Sequence, residues 1–296
     1  MNGLEVRREN GRYPASQIEK VYQQYGIVVL KEYLPRAGRD TLRAALDKRL
    51  ETSRAANAVL KLDQFPALDF LLGDVLAARE LDDVDYLFFG RDLTEAARTV
   101  LKTDELLYWG DSSIQFGEGA RGFHKDNVER LDGSHVDWQG DYGLVRCGFY
   151  FQDHDRYSGG LKVRLSSQDI PTHRIGRRAD IASTYGDLVF WNMRLTHSGN
   201  NRKLRGLSGW SLHPRFEELA PRALVLPEQM RRISAFCSFG RAGTHLDLYL
   251  QKMNRRDAEY RPFFQHARNP RESAELAAKY GISFVQPTDY YGELDR

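Results

Sequence analysis

The chain has 296 residues, of which 41% are hydrophobic and 28% charged, and its formal net charge at pH 7 is +2. This composition is typical of a globular protein with one large domain and excludes a collagen-like or disordered chain. The small net charge argues against a nucleic-acid partner, and no apolar run reaches the roughly 18 residues of a membrane span. Because the first residues also lack the apolar segment of a secretory signal, we expect a cytoplasmic protein whose two cysteines stay reduced.

The first third of the chain predicts helices around one short strand. Residues 15–25 have helical spacing and end at Gly26, a residue that commonly stops a helix. The apolar run Ile27–Leu30 then predicts a buried strand. Hydrophobic periodicity predicts three further helices, over residues 38–60, 66–80 and 92–102.

From about residue 105 the pattern changes to short strands rich in β-branched and aromatic residues, separated by Gly, Asp, Asn and Ser. The predicted strands are 105–116, 121–125, 143–152, 160–165, 187–192 and 206–213, followed by a helical tail over about 227–280. Such a series predicts a mainly β fold with flanking helices, a jelly roll of two sheets. Within a single domain we expect N-terminal helices and a first strand in 1–104, a catalytic core in 105–215 and a helical extension in 216–296.

A His-x-Asp triplet on a strand projects two metal ligands from one face, because side chains alternate along a strand. With a distant histidine it completes a facial triad, whose open positions on Fe(II) accept a keto acid and dioxygen. The chain contains three such triplets, at His124/Asp126, His135/Asp137 and His245/Asp247. The second lies in a loop-like Asp-Gly-Ser-His segment and the third in a helical stretch, where positions i and i+2 do not share a face. We therefore predict His124 and Asp126 as metal ligands.

The third ligand should be a histidine at the end of a later strand. His197 follows the apolar segment Leu188–Trp191 directly, whereas three alternatives lie in a turn, in a proline-containing loop and at the far end of a strand. These alternatives are His154, His173 and His213. We predict His197.

The distal carboxylate of a keto acid needs a cation, and arginine offers a bidentate fork. Three arginines follow His197, namely Arg202, Arg205 and Arg215. Arg205 opens the predicted strand 206–213 and would lie beside His197, so it is the preferred residue. Arg202 lies in a polar turn and Arg215 beyond the strand, and both stay alternatives.

At these positions the chain resembles the phytanoyl-CoA dioxygenase family, which includes ectoine hydroxylase-type enzymes. The resemblance covers about residues 18–215, and its motifs here are IEKVYQQYGIVVLKEYLP, FHKDN, FYFQDHDRYSGGLKV and GDLVFWNMRLTHSGN. It implies a double-stranded β-helix and Fe(II) bound by His124, Asp126 and His197. It also implies 2-oxoglutarate bound by Arg205, with Gln115 as an amide near the keto acid. The expected reaction is hydroxylation of an unactivated C–H, with O2 consumed and succinate and CO2 released. The carboxylate of Asp126 argues against the halogenating relatives.

The sequence indicates the substrate less clearly than the metal site. Four residues are candidates for contact with it: His135 and Trp138 in the long polar segment 127–142, and Arg146 and Arg164 on predicted strands. A small molecule such as a sugar, lipid or secondary metabolite is the expected substrate. Two other functions stay open, a non-catalytic jelly-roll binding protein and a cupin-like metal enzyme that does not use 2-oxoglutarate.

Overall fold

Two β-sheets packed face to face, with helices on the outer face of the larger one, organise the chain in this computed structural model. It describes residues 3–56, 59–61, 68–72, 76–77, 79–117, 122–206, 210–217, 219–260 and 268–286. The strands in chain order are β1 (Glu5–Val6), β2 (Ile27–Leu30), β3 (Leu60–Lys61), β4 (Leu68–Leu72), β5 (Leu107–Tyr108), β6 (Ser112–Gly117), β7 (Leu144–Tyr150), β8 (Gly160–Leu165), β9 (Arg177–Asp180), β10 (Leu188–Asn192), β11 (His197–Asn201), β12 (Ile233–Gly240) and β13 (Ser283–Phe284). The α-helices are α1 (Ala15–Tyr25), α2 (Arg39–Ala55), α3 (Tyr86–Phe89), α4 (Arg91–Leu101), α5 (Thr244–Tyr260) and α6 (Pro270–Lys279).

The main sheet has the strand order β1-β2-β10-β7-β12-β6-β4-β3, with β5 and β13 beside one end of β12. Its centre, from β2 to β4, is antiparallel. The small sheet has the order β11-β8-β9 and is also antiparallel. This two-sheet arrangement with flanking helices is the jelly roll that the strand pattern predicts.

The two faces of the main sheet have different surroundings because side chains alternate along each strand. On β12, residues Ile233 and Phe239 pack in the cluster that joins the sheet to the helices, whereas Phe236 packs against the small sheet. On β7, Tyr150 also belongs to the cluster between the sheets. Both cysteines lie in the helix-facing cluster as buried free thiols, Cys147 and Cys237. The even-numbered residues Phe236 and Tyr150 face the space between the two sheets, which we call the inter-sheet space.

Most predicted elements before residue 200 are confirmed, among them α1, α4, β2, β7, β8 and β10. Gly26 ends α1 with a left-handed φ of 72°, which glycine adopts without steric cost. Helix α2 ends at Ala55, within the predicted 38–60. The predicted strand 105–116 is divided into β5 and β6 by a turn at residues 109–111.

Four predicted elements are wrong. The described residues of 66–80 form β4 and a short 3-10 helix, because a short and mostly apolar segment such as LDFLL does not distinguish a strand from a helix. The described residues of 121–125 contribute one isolated bridge, at His124, and those of 206–213 contribute one at Ser211. The fourth prediction, the helical tail, is wrong only in part: the tail contains α5 and α6, but it begins with β12. The ISAFCSFG sequence of β12 alternates with period two but has small residues that weaken its apolar signal. No helix in the described ranges is long and apolar enough to cross a membrane.

Candidate metal centre

The backbone brings two distant segments of the chain together at the mouth of the jelly roll. The amides of His124 and His197 pair with each other's carbonyls, and the Asp126 amide donates to the Met193 carbonyl at 2.8 Å. Segment 124–126 thus lies alongside the chain between Met193 and the start of β11, joined to it by these backbone hydrogen bonds. His124 and Asp126 project from the same face of this segment, towards His197.

The three side chains form a compact donor set. Their ligand atoms lie within 4.8 Å of one another, with Nε2 of His197 3.5 Å and Nε2 of His124 3.8 Å from the nearest Asp126 carboxylate oxygen. Nδ1 of His124 lies 3.0 Å from the Gly122 carbonyl and Nδ1 of His197 3.1 Å from the Leu195 carbonyl. Because a carbonyl only accepts, each Nδ1 carries the proton and each Nε2 presents its lone pair to the common centre.

Electrostatics favour the protonation states that a metal requires. Burial raises the pKa of the Asp126 carboxyl, but its electrostatic interactions with the two neighbouring imidazoles and the Arg146 guanidinium, together with the Trp191 hydrogen bond, outweigh burial and hold that pKa well below its usual range. Burial lowers the pKa of His197 to about 4, so this imidazole is neutral at pH 7. One carboxylate and two imidazoles on one face fit a divalent transition metal with open positions. Within the described ranges, this is the one group of His, Cys, Asp and Glu side chains that could hold an ion.

Neighbouring side chains fix the orientation of the ligands. The Trp191 indole Nε1 donates to Asp126 Oδ2 at 3.4 Å. Lys125, between the two ligands of the triplet, points the opposite way and is fully buried, with Nζ donating to the carbonyls of Ser167 and Arg194. These contacts attach both faces of segment 124–126 to the rest of the fold.

The predicted cosubstrate residues lie on different elements of the fold. Gln115 lies on β6 directly opposite Ser234 of β12, half-buried on the inter-sheet side. Arg205 is exposed, and its Nε donates to the Val225 carbonyl at 3.0 Å. Arg202 donates to the Glu217 carbonyl at 3.0 Å, and Arg215 is exposed.

A different arginine, missed in the sequence, lies in the inter-sheet space. Arg232 immediately precedes β12 and is only 3% exposed; its Nε donates to the Gly159 carbonyl and its Nη1 to the Gly117 carbonyl, each at 3.1 Å. Its guanidinium lies 5.5 Å from the centre of the Tyr150 ring. Two residues on, the buried Ser234 hydroxyl has no hydrogen-bond partner among the described residues. The sequence does contain a signal for this residue: Arg232 precedes ISAFCSFG, a segment that alternates with period two. The prediction of Arg205 assumes instead that the arginine-bearing strand follows His197 directly.

Of the four predicted substrate residues, the structure brings Arg146 to the metal centre, with its Nη1 3.7 Å from Asp126 Oδ2. Trp138 lies between two cations, 5.2 Å from Lys125 Nζ and 5.5 Å from the Arg194 guanidinium carbon. His135 accepts the Asp137 amide at the start of a 3-10 helix. Arg164 stacks 4.6 Å from the centre of the ring of Phe123, the residue before His124.

No family model matches the sequence, and no curated protein matches it either. Among solved structures the chain is similar to the non-haem α-ketoglutarate-dependent carbocyclase SnoK from nogalamycin biosynthesis, at 12% identity over 79% of this chain and 88% of that one, with a TM-score of 0.52. It is similar to HygX from Streptomyces hygroscopicus bound to nickel, 2-oxoglutarate and hygromycin B, at 15% identity over 75% and 86% of the two chains, with a TM-score of 0.52. It is also similar to EctD from S. alaskensis with 2-oxoglutarate and 5-hydroxyectoine, at 15% identity over 80% of each chain, with a TM-score of 0.50.

At these identities the likeness shows the fold. The chain shares the jelly-roll fold of these solved structures, so the predicted fold class is confirmed. The narrower resemblance to the phytanoyl-CoA dioxygenase family stays a prediction.

Proposed function

We propose that the protein is an Fe(II)- and 2-oxoglutarate-dependent oxygenase that hydroxylates an unactivated C–H of a small molecule. The observation that carries the proposal is the donor set of His124, Asp126 and His197 in a jelly-roll fold. The ligand atoms of these three residues lie within 4.8 Å of one another. Three structural neighbours support the cofactors: HygX and EctD were crystallised with 2-oxoglutarate, and SnoN, at a TM-score of 0.52, with Fe3+ and α-ketoglutarate.

For the distal carboxylate of 2-oxoglutarate we propose Arg232 as the anchor, together with Ser234 and Gln115. A row of aromatic rings on the inter-sheet face leads from the metal ligands towards this arginine. The ring centres of His197 and Trp191 are 5.6 Å apart, those of Trp191 and Phe236 5.9 Å, and those of Phe236 and Tyr150 6.0 Å. A buried guanidinium is a stronger carboxylate anchor than an exposed one, because little water competes for its donors. Arg205 stays the alternative that the sequence predicts.

Bound iron and 2-oxoglutarate would supply the oxidising chemistry, with release of succinate and CO2. The residues of the chain have simpler tasks. His124, Asp126 and His197 hold the metal, Trp191 fixes the Asp126 carboxylate, and Arg232 orients the keto acid along the inter-sheet space. The aromatic walls exclude water from this space, which strengthens every charged contact inside it.

Hydroxylation is the proposed outcome, although SnoK is described as a carbocyclase and SnoN as an epimerase. An intact carboxylate at Asp126 leaves three protein ligands on the metal and supports oxygen transfer over halide transfer. The substrate roles of His135, Trp138, Arg146 and Arg164 stay predictions.

The deciding experiment is an anaerobic titration of the purified protein with Fe(II) and then 2-oxoglutarate, followed by visible absorbance. We expect the weak charge-transfer band that arises when a keto acid chelates ferrous iron. A folded protein that binds Fe(II) and shows no band on addition of 2-oxoglutarate would contradict the proposal and favour a cupin-like metal enzyme. A folded protein that binds no metal would favour a non-catalytic binding function.

A further inference from the structure

A second charged group, which is not a metal ligand, lies beside the metal centre. Arg146, on β7, points into the inter-sheet space with 22% of its side chain exposed. Its Nη2 donates to Asp111 Oδ2 at 2.6 Å and lies 3.3 Å from the Tyr249 hydroxyl, and its Nε donates to the Ser238 hydroxyl at 3.0 Å. Its remaining nitrogen, Nη1, lies 3.7 Å from Asp126 Oδ2.

This last distance is longer than a hydrogen bond, although the two groups carry opposite charges. A guanidinium and a carboxylate left to themselves form two parallel short hydrogen bonds. Such a bidentate pair on Asp126 would occupy the oxygens that a metal needs. The long distance between the Arg146 guanidinium and the Asp126 carboxylate therefore indicates that other contacts restrain Arg146.

Asp111 restrains Arg146. Its carboxylate takes the shortest contact of the guanidinium, and the Tyr249 hydroxyl donates to the same Oδ2 at 3.2 Å. Tyr249 lies on α5, so the C-terminal region reaches the metal centre through this cluster. Asp111 itself lies just before β6, and the Ser238 amide donates to its carbonyl at 2.9 Å, which fixes its position at the end of the sheet.

We propose that Asp111 is a positioning residue that holds Arg146 away from Asp126 and so keeps the Asp126 carboxylate free to bind the metal. The inference rests on the metal site of the proposed function. Arg146 thereby keeps a positive charge near the metal-binding carboxylate without competing for it. If Asp111 alone is replaced, Arg146 should pair with Asp126 and compete with the metal for its carboxylate. If Asp111 and Arg146 are both replaced, no guanidinium should compete with the metal.

The test is a double-mutant cycle on metal affinity, with Co(II) as the probe and calorimetry and the visible d–d spectrum as readouts. Asp111→Asn should bind Co(II) at least about tenfold more weakly than the wild type, because an unopposed guanidinium then pairs with Asp126. The double variant Asp111→Asn/Arg146→Gln should recover binding to within about threefold of the wild type. A purely structural role of the cluster predicts the opposite, a double variant at least as impaired as the single one.

Asp83→Asn is the matched control, because it makes the same chemical change at the ion pair between Asp83 and Arg49, whose contact is 2.6 Å, outside the site. Tyr249→Phe should weaken Co(II) binding in the same direction as Asp111→Asn but less. If the wild type binds no Co(II), the proposed function fails. If the wild type binds Co(II) and Asp111→Asn binds it equally well, or if the double variant is not rescued, the role of Asp111 is refuted while the metal site stands.

Discussion

The amides of His124 and His197 each donate to the other's carbonyl oxygen at 2.9 Å. The two histidines therefore owe their proximity to the backbone and not to the metal or to each other's side chains. A ligand can be removed here without separating the segments that carry it, and this makes single substitutions interpretable.

Removal of one ligand should abolish metal binding and leave the fold intact. For Asp126→Ala and His197→Ala we expect Fe(II) affinity to fall by at least about a hundredfold, since a two-ligand site holds the ion poorly. Circular dichroism should stay unchanged, and succinate formation from 2-oxoglutarate should disappear. His135→Ala is the matched control for metal affinity, because His135 begins another His-x-Asp triplet and is not in the donor set. Wild-type metal affinity in Asp126→Ala would contradict the assignment.

The anchor of 2-oxoglutarate can be decided by a pair of arginine variants. Arg232→Gln should weaken 2-oxoglutarate binding by about 3 kcal/mol, or roughly a hundredfold, as expected when a buried carboxylate loses its cation. Arg205→Gln should change it by less than about 0.5 kcal/mol, since an exposed side chain contributes little. Titration of the charge-transfer band measures both. The reverse ranking would restore Arg205 as the anchor.

The Trp191 indole should matter to the metal through its single hydrogen bond. Trp191→Phe keeps an aromatic ring but loses the donor to Asp126 Oδ2, and we expect Fe(II) affinity to fall by about tenfold. Trp109→Phe is a suitable control, because Trp109 is equally buried and its Nε1 has no partner among the described residues. Both variants should lose similar stability in urea unfolding. Equal metal affinity in the two variants would show that the indole N–H does not orient the carboxylate.

Acid should destabilise the protein through its buried histidines, and His154 offers a clear case. Burial, and then the charges of Arg232 and Lys203, lower the pKa of His154 well below that of an exposed histidine. Above pH 6.5 both the folded and the unfolded states keep this ring neutral; below it, the unfolded chain takes up a proton that the folded state excludes. The free energy of unfolding therefore falls as the pH falls, with a contribution of about 1 kcal/mol from this residue between pH 7 and 5.5.

Urea unfolding of the wild type and His154→Gln at both pH values checks this prediction. Glutamine does not titrate, so the variant should lose about 1 kcal/mol less than the wild type on acidification. Between pH 7.5 and 8.5 the two proteins should show the same pH dependence. Equal losses on acidification would mean that His154 is protonated in the folded state.

The donor set was accessible from the sequence because its geometry is local. In the His-x-Asp triplet, alternation of side chains over three extended residues is enough to put His124 and Asp126 on one face. His197 could be chosen because it follows the apolar segment Leu188–Trp191. Arg232 could not be predicted, because 34 residues separate it from His197 and no hydrophobic periodicity in that stretch links the two. The sequence also did not reveal β12, because its alanine, serine and cysteine residues weaken the apolar signal of a buried strand. Asp111 was missed because its partners come from β7, β12 and α5, which only the tertiary fold brings together.

The position of β12 has a consequence for biosynthesis. This strand lies between β6 and β7, yet it leaves the ribosome some eighty residues after β7. Until then β6 and β7 each present an unpaired edge, a surface that pairs readily with other chains. A nascent chain stopped before residue 233 would hold all three metal ligands and still lack the strand that joins the two halves of its main sheet. We therefore expect a chain that ends before residue 233 to aggregate more readily than the full chain, because the edges of β6 and β7 that β12 covers stay unpaired.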